Sequence, residues 1–204
     1  MPITIKELVE KAGLNPMALK KVKWGIPVKT QEEGVYIVSL SSDPNENITM
    51  KLPPFNIVLL KEWIEKREYF ILDGAKCYAN DVSSITNRLS KFWISDENIL
   101  YIGKASNLHE RIGAFYRHKV GKRSPHAGGH WIKVLKNLEE LFLYYIECDN
   151  CIEVEKKMFS VFGKQISKES KQILFDKNIL LPFANIQNEC KKNKYYGIDN
   201  MKPK

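Results

Sequence analysis

Apolar positions along the chain fall into two periods. Gly34–Leu40 (GVYIVSL), Ile99–Gly103 (ILYIG) and Leu141–Ile146 (LFLYYI) are short, rich in β-branched and aromatic residues, and carry no charge. Such runs read as buried strands. Phe55–Arg67, the stretch from Asp81 to Trp93, the stretch from Asn107 to His118, and Cys151–Ile166 read as helices. Thr4-Ile5-Lys6-Glu7 forms a capping box that opens a short helix ending at Gly13. Asn15-Pro16 caps a second helix that bears Lys20, Lys21 and Lys23. Asp73-Gly74 sits between the apolar runs of Tyr69–Tyr78, which predicts a hairpin. Gly128-Gly129 closes a loop begun at Gly121 and leads into a helix over Trp131–Leu138. Pro182 stops any helix before Phe183–Ile186. The order is strand, helical insertion, strand, helix, helix, strand, helix, which predicts a small α/β (α+β) fold.

Composition narrows the class. The chain has 204 residues, 44% hydrophobic and 27% charged, enough to bury a core without disulfide or metal staples. No apolar stretch approaches the roughly 18 residues of a membrane span, and no leader is visible, so a cytoplasmic protein without a membrane partner is expected. Cys148 and Cys151 make one CxxC, but no second pair completes a zinc site. Reduced thiols are the expectation.

Charge is unevenly placed. The net is +8, and Lys104–Lys136 carries eight Lys or Arg against one Glu. The next stretch, Asn137–Glu155, has six acids and no base. A basic block interleaved with Phe115, Tyr116 and Trp131 suits a polyanionic partner. Arg117, Lys122, Arg123 and Lys133 are its candidate nucleic-acid contacts.

Two helices place charged groups against apolar stripes. At about 100° per residue, Cys151, Ile152, Met158, Phe159 and Phe162 share a face, and Glu155 falls in its middle while Glu153 points away. A carboxylate in an apolar stripe costs several kcal/mol, about what pairing or a metal must offset. Glu155 is therefore the candidate metal ligand, and Mg²⁺ or Mn²⁺ suits oxygen-only ligation. A hydrogen bond to a buried Arg or Tyr is the alternative. On the preceding helix Leu108, Ile112 and Phe115 form the buried stripe and Arg111 borders it. A guanidinium there suits two phosphate oxygens; a salt bridge is the alternative. Lys104, at the strand end, is a second phosphate contact or a solvated turn lysine.

Gly34-Val35-Tyr36, then Tyr101-Ile102-Gly103-Lys104, then Arg111, Glu155 and Asn185 form an ordered set that resembles the GIY-YIG nuclease superfamily. The resemblance covers Gly34–Leu40 and roughly Ile99–Gln187. It implies a small three-stranded mixed or antiparallel sheet flanked by helices. It also implies a metal-dependent endonuclease acting on DNA, with RNA left open, of restriction-like or mobile-element type. A structure-specific repair or recombination nuclease and a catalytically silent nucleic-acid-binding module are the alternatives. Tyr36 and Tyr101 then face the catalytic cleft, one of them activating or positioning the attacking water, with Tyr101 preferred. Asn185 fixes geometry through its amide. Relatives often carry His or Tyr one turn after the arginine, where this chain has Phe115. His109, His118, His126 and His130 are possible substitutes, and His126 and His130, which flank Ala127-Gly128-Gly129, are the preferred proton donors or DNA contacts.

The expected organisation is an N-terminal helical extension (1–33), a catalytic core (34–40 and 98–187), an inserted helical and hairpin subdomain (41–97) and a basic C-terminal tail (188–204). The insertion is long for the resembled family. The oligomeric state is left open, a dimer being compatible.

Overall fold

A computed structural model describes residues 2–66, 69–78, 81–120, 127–187 and 193–199. Its centre is a four-stranded antiparallel sheet of β1 (Lys20–Lys23), β2 (Gly34–Ser39), β5 (Ile99–Ala105) and β6 (Phe142–Glu147), in the order β1-β6-β2-β5. Between β2 and β5 the chain forms α2 (Ile57–Glu65), a hairpin of β3 (Phe70–Leu72) and β4 (Ala75–Cys77), and α3 (Val82–Ser90). The remaining helices are α1 (Ile5–Lys11), α4 (Leu108–Arg117), α5 (Cys151–Gln165) and α6 (Lys168–Ile173). The α+β expectation holds. No helix among the described residues is long and apolar enough to cross a membrane.

Local signals act where the sequence places them. Thr4 forms its capping box with Glu7, and Asp81 and Asn107 accept amide hydrogens at the starts of α3 and α4. Asp73 and Gly74 both have positive φ (49° and 85°), the conformation a two-residue type I′ hairpin requires.

The sheet separates two apolar layers. On one face Tyr36, Val38 and Tyr101 join Phe115 of α4, Trp131, and the insertion's Trp63 and Phe70. On the other, Val35, Ile37 and Ile102 pack with Ile5, Leu8 and Val9 of α1 and with Met158, Phe159 and Phe162 of α5. The insertion is therefore part of the main core. Its start is tied to the segment after α4: Phe55 bridges Leu135, and the Asn56 amide donates to the Val134 carbonyl at 2.7 Å.

Four expectations need correction. The sheet has four strands rather than three, because Lys20–Lys23 is an edge strand and not a helix. Asn15-Pro16 does open a turn, but it lasts only Pro16–Ala18. Lys20 then pairs with Tyr145 and its ammonium meets Glu147 at 2.7 Å. Lysines on an edge strand keep a further strand from adding. The predicted helix over Trp131–Leu138 is instead a 3₁₀ segment at Ala127–Val134 followed by a second at Leu138–Glu140.

The fourth concerns the basic tail. Residues 188–192 and 200–204 lie outside the described residues, but Lys194, Tyr196 and Ile198 are buried. β7 (Ile198–Asp199) completes a sheet in the order β4-β3-β7. Arg88 of α3 binds the Asp73 carboxylate through both terminal nitrogens, donates to the Tyr196 carbonyl at 2.8 Å, and stacks 3.9 Å from the Phe175 ring. The apolar side chains at 196 and 198 outweigh the charges around them in placing this stretch.

Candidate active site

The register of β2 against β5 arranges the two tyrosines. Tyr36 lies opposite Gly103 and Val38 opposite Tyr101, which makes Tyr36 and Tyr101 diagonal neighbours. Their rings stack with centroids 5.8 Å apart, and Phe115 closes the group 5.1 Å from Tyr101. Phe115, at the position where relatives of the resembled family carry His or Tyr, is fully buried and acts as packing. Gly103 has no room for a side chain: a Cβ there would lie 2.7 Å from ring atoms of both tyrosines.

Burial governs the chemistry of these phenols. It pushes Tyr36 up to about 12, although the Arg111 charge and hydrogen bonds from Tyr101 and Arg111 pull the other way. It pushes Tyr101 well above the usual phenol range, helped by Tyr36 and opposed by Arg111. Both are neutral hydroxyls at physiological pH rather than resting phenolates.

Asn185 does not enter the cleft as a reacting group. The Ile102 amide donates to its Oδ1 at 3.0 Å, and its Nδ2 donates to the Ile102 carbonyl at 2.7 Å. It thus substitutes for a neighbouring strand on the outer edge of β5, where Ile102 follows Tyr101.

α4 and α5 bring charge to the same end of the sheet. Arg111 is exposed on α4 beside its buried stripe of Leu108, Ile112 and Phe115. Glu155 is only 8% exposed, and its Oε2 is ion-paired with the Lys104 ammonium. Glu153 is solvated and pairs with Lys156 at 2.6 Å, as its position on the wheel predicts. Between the helices opens a cleft of about 800 Å³ whose walls include Glu33, Lys104, Glu110, Arg111, Cys151 and Glu153.

Glu33 is a participant that sequence reading missed. It lies just before β2, and its Oε1 accepts the Asn150 amide at 3.0 Å, capping α5 from another part of the chain. Asn150 itself has φ 55° and makes no side-chain cap. No local spacing signals such a cap. Glu33 also accepts from the Cys151 thiol, and burial with nearby negative charge pushes the thiols of Cys148 (to about 11) and Cys151 up. That keeps them protonated, as the expectation of reduced thiols requires.

A divalent ion fits this donor set in one style only. No cluster of three or more His, Cys, Asp or Glu exists among the described residues. Glu155, which like Tyr36 and Tyr101 is not among the residues lining the cleft, offers a single buried carboxylate beside Lys104, which suits a Mg²⁺-type ion that keeps most of its waters. Lys104 holds the same carboxylate, so ion and ammonium compete for it.

The histidines lie elsewhere. His130 packs edge-on to Trp63 (5.2 Å) and Trp131 (5.0 Å) and lies 5.8 Å from His118, and it is not among the residues lining the cleft. Aromatic packing holds His130 apart from the cleft, in the surroundings of a core histidine. His118 ends α4 and is buried, and His109 Nδ1 lies 2.6 Å from the Val28 carbonyl. Arg117 is exposed at the end of α4. Lys133 is buried, donates to the Tyr116 carbonyl at 2.9 Å and lies 4.9 Å over Trp24. Lys122, Arg123 and His126 lie outside the described residues. No family model matches the chain, and no curated protein or solved structure matches it.

Proposed function

We propose that the protein is a metal-dependent endonuclease that hydrolyses DNA phosphodiester bonds through a site of GIY-YIG type. One observation carries the reading. Residues far apart in sequence (Tyr36, Tyr101, Lys104, Arg111 and Glu155) come together near one end of one sheet, and they are the residues the resemblance singles out.

In this reading the Arg111 guanidinium binds two oxygens of the scissile phosphate and stabilises the charge that builds on them. Lys104 turns from Glu155 to a third oxygen. The neutral hydroxyls of Tyr36 and Tyr101 hold the attacking water in line with the leaving oxygen. Asn185 keeps β5, and so Tyr101, in place. Glu155 would hold Mg²⁺ or Mn²⁺, which when bound supplies Lewis-acid stabilisation to the phosphate and its leaving oxygen. A water that loses its proton to solvent rather than to a resting phenolate fits the raised phenol range.

The test is cleavage of plasmid and of single-stranded and branched DNA with Mg²⁺ or Mn²⁺. Glu155→Gln and Arg111→Ala are each expected to lower the rate by roughly 10²–10³-fold, the usual cost of losing one transition-state contact. Chelation by EDTA is expected to stop the wild type. Undiminished cleavage by both variants would overturn the site.

A further inference from the structure

A second concavity, of about 410 Å³, opens at the far end of α4. Its walls come from two parts of the chain. α2 and its C-cap supply Glu62, Trp63 and Lys66; the end of α4 and the 3₁₀ segment after it supply His118, Lys119 and Lys133. Its walls thus hold three lysines and one glutamate. The cleft beside Glu155 has the opposite balance, with three carboxylates in its walls (Glu33, Glu110, Glu153) against Lys104 and Arg111. A polyanion is therefore not retained at that cleft by charge alone, and the positive concavity is the complementary feature.

We propose that this concavity is a phosphate subsite for the substrate strand, built jointly by the insertion and the end of α4, and lying one α4 length away from the cleft. The proposal rests on the endonuclease reading. The spacing follows from α4 itself. His118 is seven residues beyond Arg111, about 10 Å at 1.5 Å per residue.

The side chains favour a phosphate over a base. Trp63 is 5% exposed and already packed edge-on by His130 and Trp131, so its ring is not a free stacking platform. Lys133 is held in one place by the Tyr116 carbonyl and the Trp24 face. An anion beside it would offset the burial that pulls its ammonium down to about 8. Lys66 and Lys119 are exposed and free to swing onto a bound phosphate. The Lys133 contact with Tyr116 also caps the helix, so the test uses the two exposed lysines.

The experiment measures binding of a labelled 20-base-pair duplex as a function of salt, in a Glu155→Gln background that prevents cutting. The Lys66→Ala/Lys119→Ala double variant is expected to bind at least tenfold more weakly at low salt. Its slope of log affinity against log salt should fall by about 1.8, the value for two lost phosphate contacts. A Lys11→Ala/Lys168→Ala control removes two exposed lysines outside the pocket and is expected to leave the slope near the parent's. An unchanged slope in the pocket variant, or an equal fall in the control, would overturn the subsite. Unchanged slope with metal-dependent cleavage by the wild type sinks the subsite alone. A lowered slope without any wild-type cleavage sinks the hydrolytic reading alone. Absence of binding by the parent sinks both.

Discussion

At Gly103 one added methyl group has nowhere to go. It would meet the rings of Tyr36 and Tyr101, which are fixed in turn by Phe115 and by burial in the main core. Gly103→Ala is expected to cost about 1–3 kcal/mol of stability, the usual range for overpacking. It should lower cleavage far more than the stability loss explains, because the two hydroxyls would be displaced. Urea denaturation and a cleavage assay on the same preparation check this, and a wild-type rate would count against the arrangement of the tyrosines. Residues of this kind were legible in sequence when their side chains face other side chains in the site. Tyr36, Tyr101, Lys104, Arg111 and Glu155 all belong to that class, and the burial of Glu155 followed from helical periodicity alone. Asn185 and Glu33 were harder to read because they act on backbone amides of other elements. Their identity carries no trace of which amide they will meet.

Among the elements, the Leu181–Asn185 turn depends on a partner that arrives later in the chain. The Lys194 ammonium donates to the carbonyls of Pro182 (2.8 Å), Phe183 (3.3 Å) and Leu181 (3.5 Å), while the Ala184 amide joins Leu100. Lys194 thus supports the turn that presents Asn185 to Ile102. Lys194→Met keeps the length of the side chain and removes the donors. It is expected to cost about 1–3 kcal/mol and to speed hydrogen exchange at the Ile102 amide, with a lower kcat and a smaller change in KM. Unaltered exchange at Ile102 would separate Lys194 from β5. Strong local signals fixed most elements before any tertiary contact: the Thr4 capping box, the Asp81 and Asn107 caps, Asp73-Gly74, and the uncharged strand runs. β1 escaped because Lys-Lys-Val-Lys has little preference of its own and becomes a strand by pairing with β6. Asn193–Asp199 escaped because it lies within a basic C-terminal stretch whose charge concealed two buried anchors, Tyr196 and Ile198.

For the whole molecule, buried ionisable groups set how stability responds to pH. Burial and the neighbouring Asp96 charge push Glu97 up from 4.5 to about 8. The folded chain therefore holds a proton that the unfolded chain releases. That contribution is complete below about 4.5 and is lost as pH rises through about 8. Burial pulls Lys194 down to about 7 and Lys133 to about 8, from 10.5. For these lysines the unfolded chain binds the extra proton, so their effect is a rise in stability above those values. Glu97→Gln should match the wild type at pH 5 and exceed it by about 1–3 kcal/mol at pH 8.5, measured by urea denaturation. A gain of equal size at both pH values would show that ionisation of Glu97 is not its source. Charge was legible in sequence only as blocks along the chain. The fold divides the largest block, sending Lys104 and Arg111 to one concavity and Lys119 and Lys133 to another.

The pairing of β3 with β7 joins Ile71 to Asp199 across most of the chain. Contacts of such long range form late, because a large loop must close before they repay its entropy. During synthesis, a ribosome-bound chain that has emerged only through Gln187 would already carry every residue proposed for catalysis. It would still lack Lys194, Tyr196 and the strand that completes the hairpin sheet. The turn that presents Asn185 to Ile102 is thereby buttressed only once Asn193–Asp199 has arrived, so this edge of β5 is completed by the last described stretch of the chain.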